Sequence, residues 1–323
     1  MLSEKYYVGR VVLITASGIV VQHEADRYTC SVRGVLKRFK KKDSDRVVVG
    51  DQVFFDIIIP QKEGVILKVG PRASLLFREG PYKKKDLLAA NIDRVLITHG
   101  WREPGWQPKL ADRYIVMAIK ADITPILVIN KADLMNEDER AEMQRYSQIY
   151  ESIGVKVIIL SLLNGEGMDQ LKEVMSTGVS LFSGKSGTGK TSLTNFLTGS
   201  AFATTEVNIK TKKGAHTTTE TRLLTLICGG FCIDTPGIRS FGLAEVKSEE
   251  LKDLFIDMVN LSENCRFSGC AHLAEPNCAV KEGLKNGQMS QERWDSYKTL
   301  FAELKEKEKE EAERRNRKHC FTR

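Results

Sequence analysis

The segment Gly184-Lys-Ser-Gly-Thr-Gly-Lys190-Thr191 constrains the fold of this chain more than any other. It has the form G-x-x-x-x-G-K-[ST], in which glycines let backbone N–H groups turn inward and approach phosphate oxygens closely. Such a loop works between a strand and a helix, because the helix N-terminus adds its partial positive charge. Both flanks comply: Val179-Ser-Leu-Phe182 reads as a buried strand, and Ser192 to Leu197 continues as helix. The pattern predicts that Gly184, Lys185, Ser186, Gly187, Thr188 and Gly189 cradle phosphates. Lys190 is expected to reach the β- and γ-phosphates, and Thr191, followed by Ser192, to offer a hydroxyl to Mg²⁺.

A second element, Asn130-Lys-Ala-Asp133, lies about fifty residues earlier and follows the apolar strand Pro125-Ile-Leu-Val-Ile129. Asp133 can accept two hydrogen bonds from guanine N1–H and the 2-amino group, a pattern adenine cannot donate. A site built around such an acceptor rejects a base that leaves it unpaired. Asn130 would bond the base edge and its own loop, the Lys131 stem would cover the base face, and Ala132 is expected among the nucleotide-binding residues with them. The plainer alternative is a polar helix cap, with Asp133 opening a turn at Leu134. Ser161-Leu162, after the strand Lys156-Val-Ile-Ile-Leu160, is expected to form a second base-side loop that uses backbone N–H groups more than side chains. Asp234-Thr-Pro-Gly237 ends the strand Phe231-Cys-Ile233. There Asp234 would be the Mg²⁺-side carboxylate and Gly237 would give its N–H to the γ-phosphate. Each element sits just past the carboxyl end of a strand, where α/β sheets bind ligands.

Three textures divide the 323 residues, a length suited to two or three domains. Residues 1–75 read as short strands (Tyr7 to Val21, Tyr28 to Leu36, Val53 to Ile59, Val65 to Val69) separated by glycine and charged turns. The expectation is a small OB-fold barrel, a fold that binds RNA. This segment carries thirteen Lys and Arg against eight Asp and Glu, and its run Lys37-Arg38-Phe39-Lys40-Lys41-Lys42 suits either a solvated loop or RNA contact. Residues 76–245 alternate strands with helices (Leu110 to Lys120, Glu137 to Ile153), which predicts a parallel sheet. Thr221 to Ile227 and Phe231 to Ile233 flank Gly229-Gly230, a hairpin signal. Residues 246–323 read as helical, ending in a Glu/Lys/Arg-rich helix from Glu303 that frays at its basic terminus.

Three of the seven cysteines crowd beside a histidine in Cys265-x₄-Cys270-x-His272-x₅-Cys278. Three thiolates and an imidazole match a closed tetrahedral site of the structural Zn²⁺ kind, with Gly269 and Pro276 supplying sharp turns. Ordinary buried cysteines beside a chance histidine are the alternative. No apolar stretch approaches the roughly 18 residues of a membrane span, and Met-Leu-Ser-Glu-Lys-Tyr-Tyr lacks the core of a secretion signal, so a cytoplasmic location is expected.

In ordinary guanine-nucleotide switches the phosphate loop precedes the base-reading element; here the order is reversed. With Asn130–Asp133, Gly184–Leu193, Gly214-Ala-His216-Thr-Thr-Thr219, Asp234–Leu243 and the Cys/His cluster, the chain resembles the circularly permuted GTPases, specifically the RsgA family, also called YjeQ or EngC. The resemblance spans all three segments. It implies a multidomain α/β protein: an OB barrel at 1–75, a permuted P-loop GTPase domain at 76–245 and a helical zinc-binding domain at 246–323. It further implies GTP hydrolysis stimulated by the small ribosomal subunit during late maturation. The expected partners are that subunit, its rRNA and ribosome assembly factors, for a monomer away from membranes. The alternative is a nucleotide-gated rRNA-binding clamp whose hydrolysis is incidental.

Ile238 stands where Ras-like switches carry the water-orienting Gln, and the resemblance offers His216 for that role. A loop residue serving ribosome contact alone is the other reading of His216. Thr217, Thr218 or Thr219 would bind Mg²⁺ and the γ-phosphate. Two positions depart from the family pattern: Ala215 replaces Arg before the histidine, and Leu162 replaces a small residue after Ser161.

Overall fold

A computed structural model describes residues 6–15, 17–32, 46–58, 62–79, 85–102, 104–199, 221–234 and 246–320. Five strands near the N-terminus close on themselves: β1 (Tyr7–Thr15), β2 (Gly18–His23), β3 (Asp26–Val32), β4 (Gln52–Ile58) and β5 (Glu63–Val69). Their order is β1-β2-β3-β5-β4, with β4 returning to β1 and β3 running parallel to β5. Alternation along each strand sends Val11, Val21, Cys30, Val53, Phe55 and Ile66 into the barrel. The expected single strand from Tyr7 to Val21 is two, β1 and β2, which pair as a hairpin closing at Thr15 and Gly18. The break, Thr15 to Gly18, is only four residues between two apolar runs, and the expected span reads across it.

The barrel is not a separate sheet. The ladder between β1 and β2 shifts register between Val11 and Leu13, and beyond that irregularity Leu13 pairs with Arg222 of β12 (Arg222–Thr225). A bulge bends and twists a strand, letting its second half serve a different neighbour. A hairpin of β6 (Leu75–Glu79) and β7 (Lys85–Ala90) follows the barrel.

The rest of the large sheet is β8 (Arg94–Gly100), β9 (Thr124–Asn130), β10 (Lys156–Ile159), β11 (Val179–Ser183), β12 and β13 (Phe231–Asp234), in the order β10-β9-β8-β11-β13-β12. Every neighbouring pair is parallel except β13 with β12. β8, β9 and β11 are almost wholly buried, as a parallel sheet covered on both faces requires. On one face, Val95, Ile97, Leu127 and Ile129 meet Tyr114, Ile115, Met143 and Tyr150 of α1 (Pro108–Lys120) and α2 (Glu137–Ser152). On the other, Leu96, Ile126, Val128 and Phe182 meet α3 (Met168–Met175) and α4 (Lys190–Thr198).

The C-terminal part holds a 3-10 segment (Ser248–Leu254), α5 (Ile256–Ser262), α6 (Ala279–Lys285) and the long α7 (Gln291–Cys320). Leu251, Phe255, Met258, Tyr297, Leu300 and Leu304 join the same core as α1 and α2. An ion network fastens the seam. Arg293 of α7 donates from Nη1 to Asp112 of α1 at 2.5 Å, and from Nε and Nη2 to Asp257 of α5 at 3.0 and 2.8 Å. Burial lowers the proton affinity of Arg293, but the two facing carboxylates outweigh it and hold the guanidinium above its ordinary value.

Candidate functional site

β11 ends at Ser183 and releases the phosphate loop into the gap between β8 and β13. Gly184 has φ +134°, and a Cβ there would fall 2.1 Å from the Thr98 carbonyl of β8. Gly189 caps α4 with φ +92°, and a Cβ there would fall 2.1 Å from Asn130 Nδ2. Both glycines are therefore required by close neighbours as well as by backbone conformation. Within the loop, the Thr188 hydroxyl donates to the Lys185 carbonyl at 3.0 Å and Lys190 Nζ to the same oxygen at 2.6 Å. Lys185 Nζ donates to Gln107 Oε1 at 2.7 Å, joining the loop to the start of α1. Thr191 and Ser192 are exposed in the first turn of α4.

The Asn130–Asp133 element adjoins this loop although about fifty residues separate them in the chain. β9 lies beside β8, which lies beside β11, so Asn130 and the phosphate loop share the carboxyl edge of the sheet. Asn130 is buried; its Nδ2 donates to the Thr188 carbonyl at 2.9 Å, and its Oδ1 accepts the Lys131 N–H at 2.8 Å. Lys131 turns the chain through φ +65° into a 3-10 turn, Ala132–Leu134. Asp133 is held by the hydroxyl of Ser161, which donates to its Oδ1.

That last contact revises the expected use of Ser161. Its own N–H donates to the Glu166 carbonyl at 3.0 Å, while its hydroxyl orients Asp133 and accepts the Leu163 N–H at 3.1 Å. Ser161 thus acts through its side chain on the carboxylate. Leu162 packs its side chain against the core that α3 and α4 share, which accounts for an apolar residue there.

Arg140 of α2 is a site residue that the sequence does not reveal. It forms a two-pronged pair with Glu166 (2.8 and 2.9 Å) and donates to the Ala132 carbonyl at 3.0 Å, tying the two base-side loops together. A single arginine on a polar helix face gives no local signal. His99, at the end of β8, is also new: burial, with the Lys185 charge adding to it, holds its imidazole down to about 4, so it is neutral at pH 7.

Asp234 closes β13, one residue past the Leu181–Ile233 pairing with β11, which sets it beside the phosphate loop. Its Oδ2 accepts Arg222 Nε at 2.9 Å and pairs with Nη2 at 2.8 Å. His216, Thr217, Thr218, Thr219, Gly237 and the run 37–42 lie outside the described residues.

The Cys/His cluster assembles as one centre. Cys265 Sγ and Cys278 Sγ stand 3.6 and 3.5 Å from His272 Nδ1 and 4.0 Å from each other. All four donor atoms, Cys270 included, lie within 4.8 Å of one another. Ligands at tetrahedral Zn–S and Zn–N distances would stand roughly 3.5–3.8 Å apart, so the residues fit such an ion. Gly269 sits in a turn as expected, closed by the Cys270 N–H donating to the Phe267 carbonyl at 3.1 Å, but not in the left-handed region. His272 and Asn277 take the left-handed conformation instead, at φ +60° and +55°. Glu275 supports the loop by accepting the N–H groups of Ala271 and Leu273 at 2.8 and 2.9 Å. From α7, Tyr297 donates to the Ala271 carbonyl at 2.9 Å and Trp294 to the His272 carbonyl at 3.4 Å.

Comparison with known proteins agrees with this geometry. The RsgA GTPase family model matches residues 69–244. Proteins named small ribosomal subunit biogenesis GTPase RsgA are similar throughout. The one from Christiangramia forsetii is 34% identical, covering 90% of this chain and 94% of its own. That from Caldanaerobacter subterraneus subsp. tengcongensis is 35% identical, covering 93% and 97%. Among solved structures, YjeQ from Thermotoga maritima superposes with TM-score 0.76 at 29% identity, covering 93% of this chain and 99% of that one. YloQ, described as a circularly permuted GTPase, gives TM-score 0.77 at 26% identity, covering 95% and 97%. With Asn130–Asp133 ahead of the Gly184–Thr191 loop in sequence and beside it in space, the chain belongs to the RsgA family of circularly permuted GTPases.

Proposed function

We propose that this chain hydrolyses GTP to GDP and phosphate on the small ribosomal subunit, late in its maturation, and that subunit binding stimulates the reaction. The observation that carries the reading is the Asn130–Thr188 bond, which locks a guanine-type base reader onto a phosphate loop. The names of its relatives, small ribosomal subunit biogenesis GTPases, supply the cellular setting.

In this reading Asp133, aimed by Ser161, selects guanine, with Asn130, Lys131, Ala132 and Leu162 completing the base side. The backbone of Gly184–Gly189 and the Lys190 ammonium hold the phosphates at the N-terminus of α4. Thr191, Asp234 and one hydroxyl of Thr217–Thr219 would hold Mg²⁺, whose charge offsets that building on the phosphate oxygens. Gly237 gives its N–H to the γ-phosphate, and His216 orients the attacking water. The Cys₃His centre holds one structural Zn²⁺ and thereby sets the loop that α7 buttresses. The chain works as three functional units: barrel (1–75), GTPase (76–245) and zinc-binding (246–323) segments. The flanking units contact rRNA, with the basic run 37–42 as one such surface. The protein acts as a cytoplasmic monomer among other assembly factors; among the described residues no helix is long and apolar enough to cross a membrane.

The test is turnover measured alone, with small subunits and with large subunits in parallel. Stimulation by small subunits alone, abolished in His216→Ala, is the expected result. Equal slow turnover in all three conditions would overturn the reading.

A further inference from the structure

Arg222 stands directly opposite Asp234 in the antiparallel ladder of β12 and β13. Its Nε and Nη2 both reach one oxygen, Oδ2, at 2.9 and 2.8 Å. The pair is partly open to solvent, with side-chain exposures of 41% and 32%. Its place in the chain is unusual. Arg222 comes three residues after the Thr217–Thr219 run, and Asp234 opens Asp-Thr-Pro-Gly. One ion pair therefore links the end of one phosphate-sensing segment to the start of the other.

A carboxylate that serves a divalent cation already meets its charge requirement when the cation is bound. A guanidinium on the same carboxylate draws off negative charge and adds a positive charge within a few ångströms, which opposes cation binding. We propose that Arg222 is the counter-ion of Asp234 when Mg²⁺ is away, and that Arg222 and Mg²⁺ compete for this carboxylate. Arg222 thereby sets the Mg²⁺ concentration at which the protein retains nucleotide. Binding of Mg²⁺ loosens Arg222 from Asp234, so the start of β12 registers the state of the site. The proposal rests on the reading of Asp234 as the Mg²⁺-side carboxylate.

The experiment follows release of a fluorescent GDP analogue from the full-length protein across a Mg²⁺ titration, for the parent, Arg222→Gln, Arg222→Lys and Asp234→Asn. Removing a partly exposed pair should lower the half-maximal Mg²⁺ concentration for retention in Arg222→Gln by about three- to fivefold. Arg222→Lys keeps the charge but loses the planar fork, and its midpoint should fall by about twofold. Should Arg222→Gln fail to fold, Arg222→Lys decides the matter. Unchanged or raised midpoints in the folded Arg222 variants, with the Mg²⁺ effect lost in Asp234→Asn, would overturn the competition. A normal Mg²⁺ response in Asp234→Asn would instead overturn the role given to Asp234, and this proposal with it.

Discussion

Arg293→Met removes the cation from the seam between the C-terminal segment that carries the Cys/His cluster and the GTPase sheet. Arg293 is 1% exposed, Asp112 fully buried and Asp257 7% exposed, measured on their side chains. The variant would leave two carboxylates without their counter-ion and cancel three charge-assisted hydrogen bonds. Removing one member of a buried ion network costs about 3–5 kcal/mol, because the remaining charge stays buried without compensation. At the entropy of unfolding of a domain this size, that corresponds to a melting temperature lower by about 10 °C. The loss should depend on pH. Burial pushes the Asp112 carboxyl upward, and the Arg293 charge opposes that push. Without Arg293, the folded state binds a proton at Asp112 more tightly than the unfolded chain does. Stability then falls as pH rises above the unfolded carboxylate value, so the deficit should be smaller at pH 5 than at pH 8. Urea unfolding followed by tryptophan fluorescence at both pH values measures it. Replacing all three members (Arg293→Met, Asp112→Leu, Asp257→Leu) should recover most of the loss. A single variant within about 1 kcal/mol of the parent at both pH values would refute the assignment of this network as the fastening of the seam.

Other perturbations have equally definite outcomes. Gly189→Ala forces a left-handed alanine and drives a methyl into Asn130 Nδ2. It should weaken binding of a fluorescent GTP analogue by about 30-fold or more, and retained affinity would contradict the required glycine. His99 is held down to about 4 in the fold, so the unfolded chain binds the extra proton between pH 4 and 6.5. Stability should fall by about 3 kcal/mol as pH drops through that window, and His99→Leu should flatten the slope in acid titrations of unfolding. Metal analysis should find one Zn²⁺ per chain, lost in Cys270→Ser together with a drop in melting temperature. Retention should weaken below about pH 6.5, where protons compete for thiolate and imidazole.

Several features are legible in the amino-acid order because their chemistry is local. The phosphate loop is a turn of fixed glycine spacing between a strand and a helix, and neither flank depends on distant residues. The apolar runs of β8, β9 and β11 announce a covered parallel sheet in the same way. The cysteine spacing also foretells a closed centre, since four ligands within fourteen residues can reach one ion without help from elsewhere. Local reasoning fails where one type of residue admits two uses. Gly269 does turn the Cys/His loop, yet the left-handed conformations fall at His272 and Asn277, where Glu275 and α7 hold the backbone. Ser161 looks like a backbone donor, yet its N–H is taken by Glu166 and its hydroxyl serves Asp133.

By itself the sequence determined the class of the protein: motif chemistry, the reversed order of the two nucleotide elements, and a metal-type ligand set. Tertiary structure alone decided how these parts act together. It brought Asn130 to Thr188, Arg140 to Glu166, Arg222 to Asp234, and Arg293 to Asp112 across 181 residues of chain. It also made β1 a strand of both barrel and GTPase sheet. The physical reason is that turns and periodicity depend on neighbours along the chain. Hydrogen bonds and ion pairs between distant side chains depend on which faces the folded core presses together.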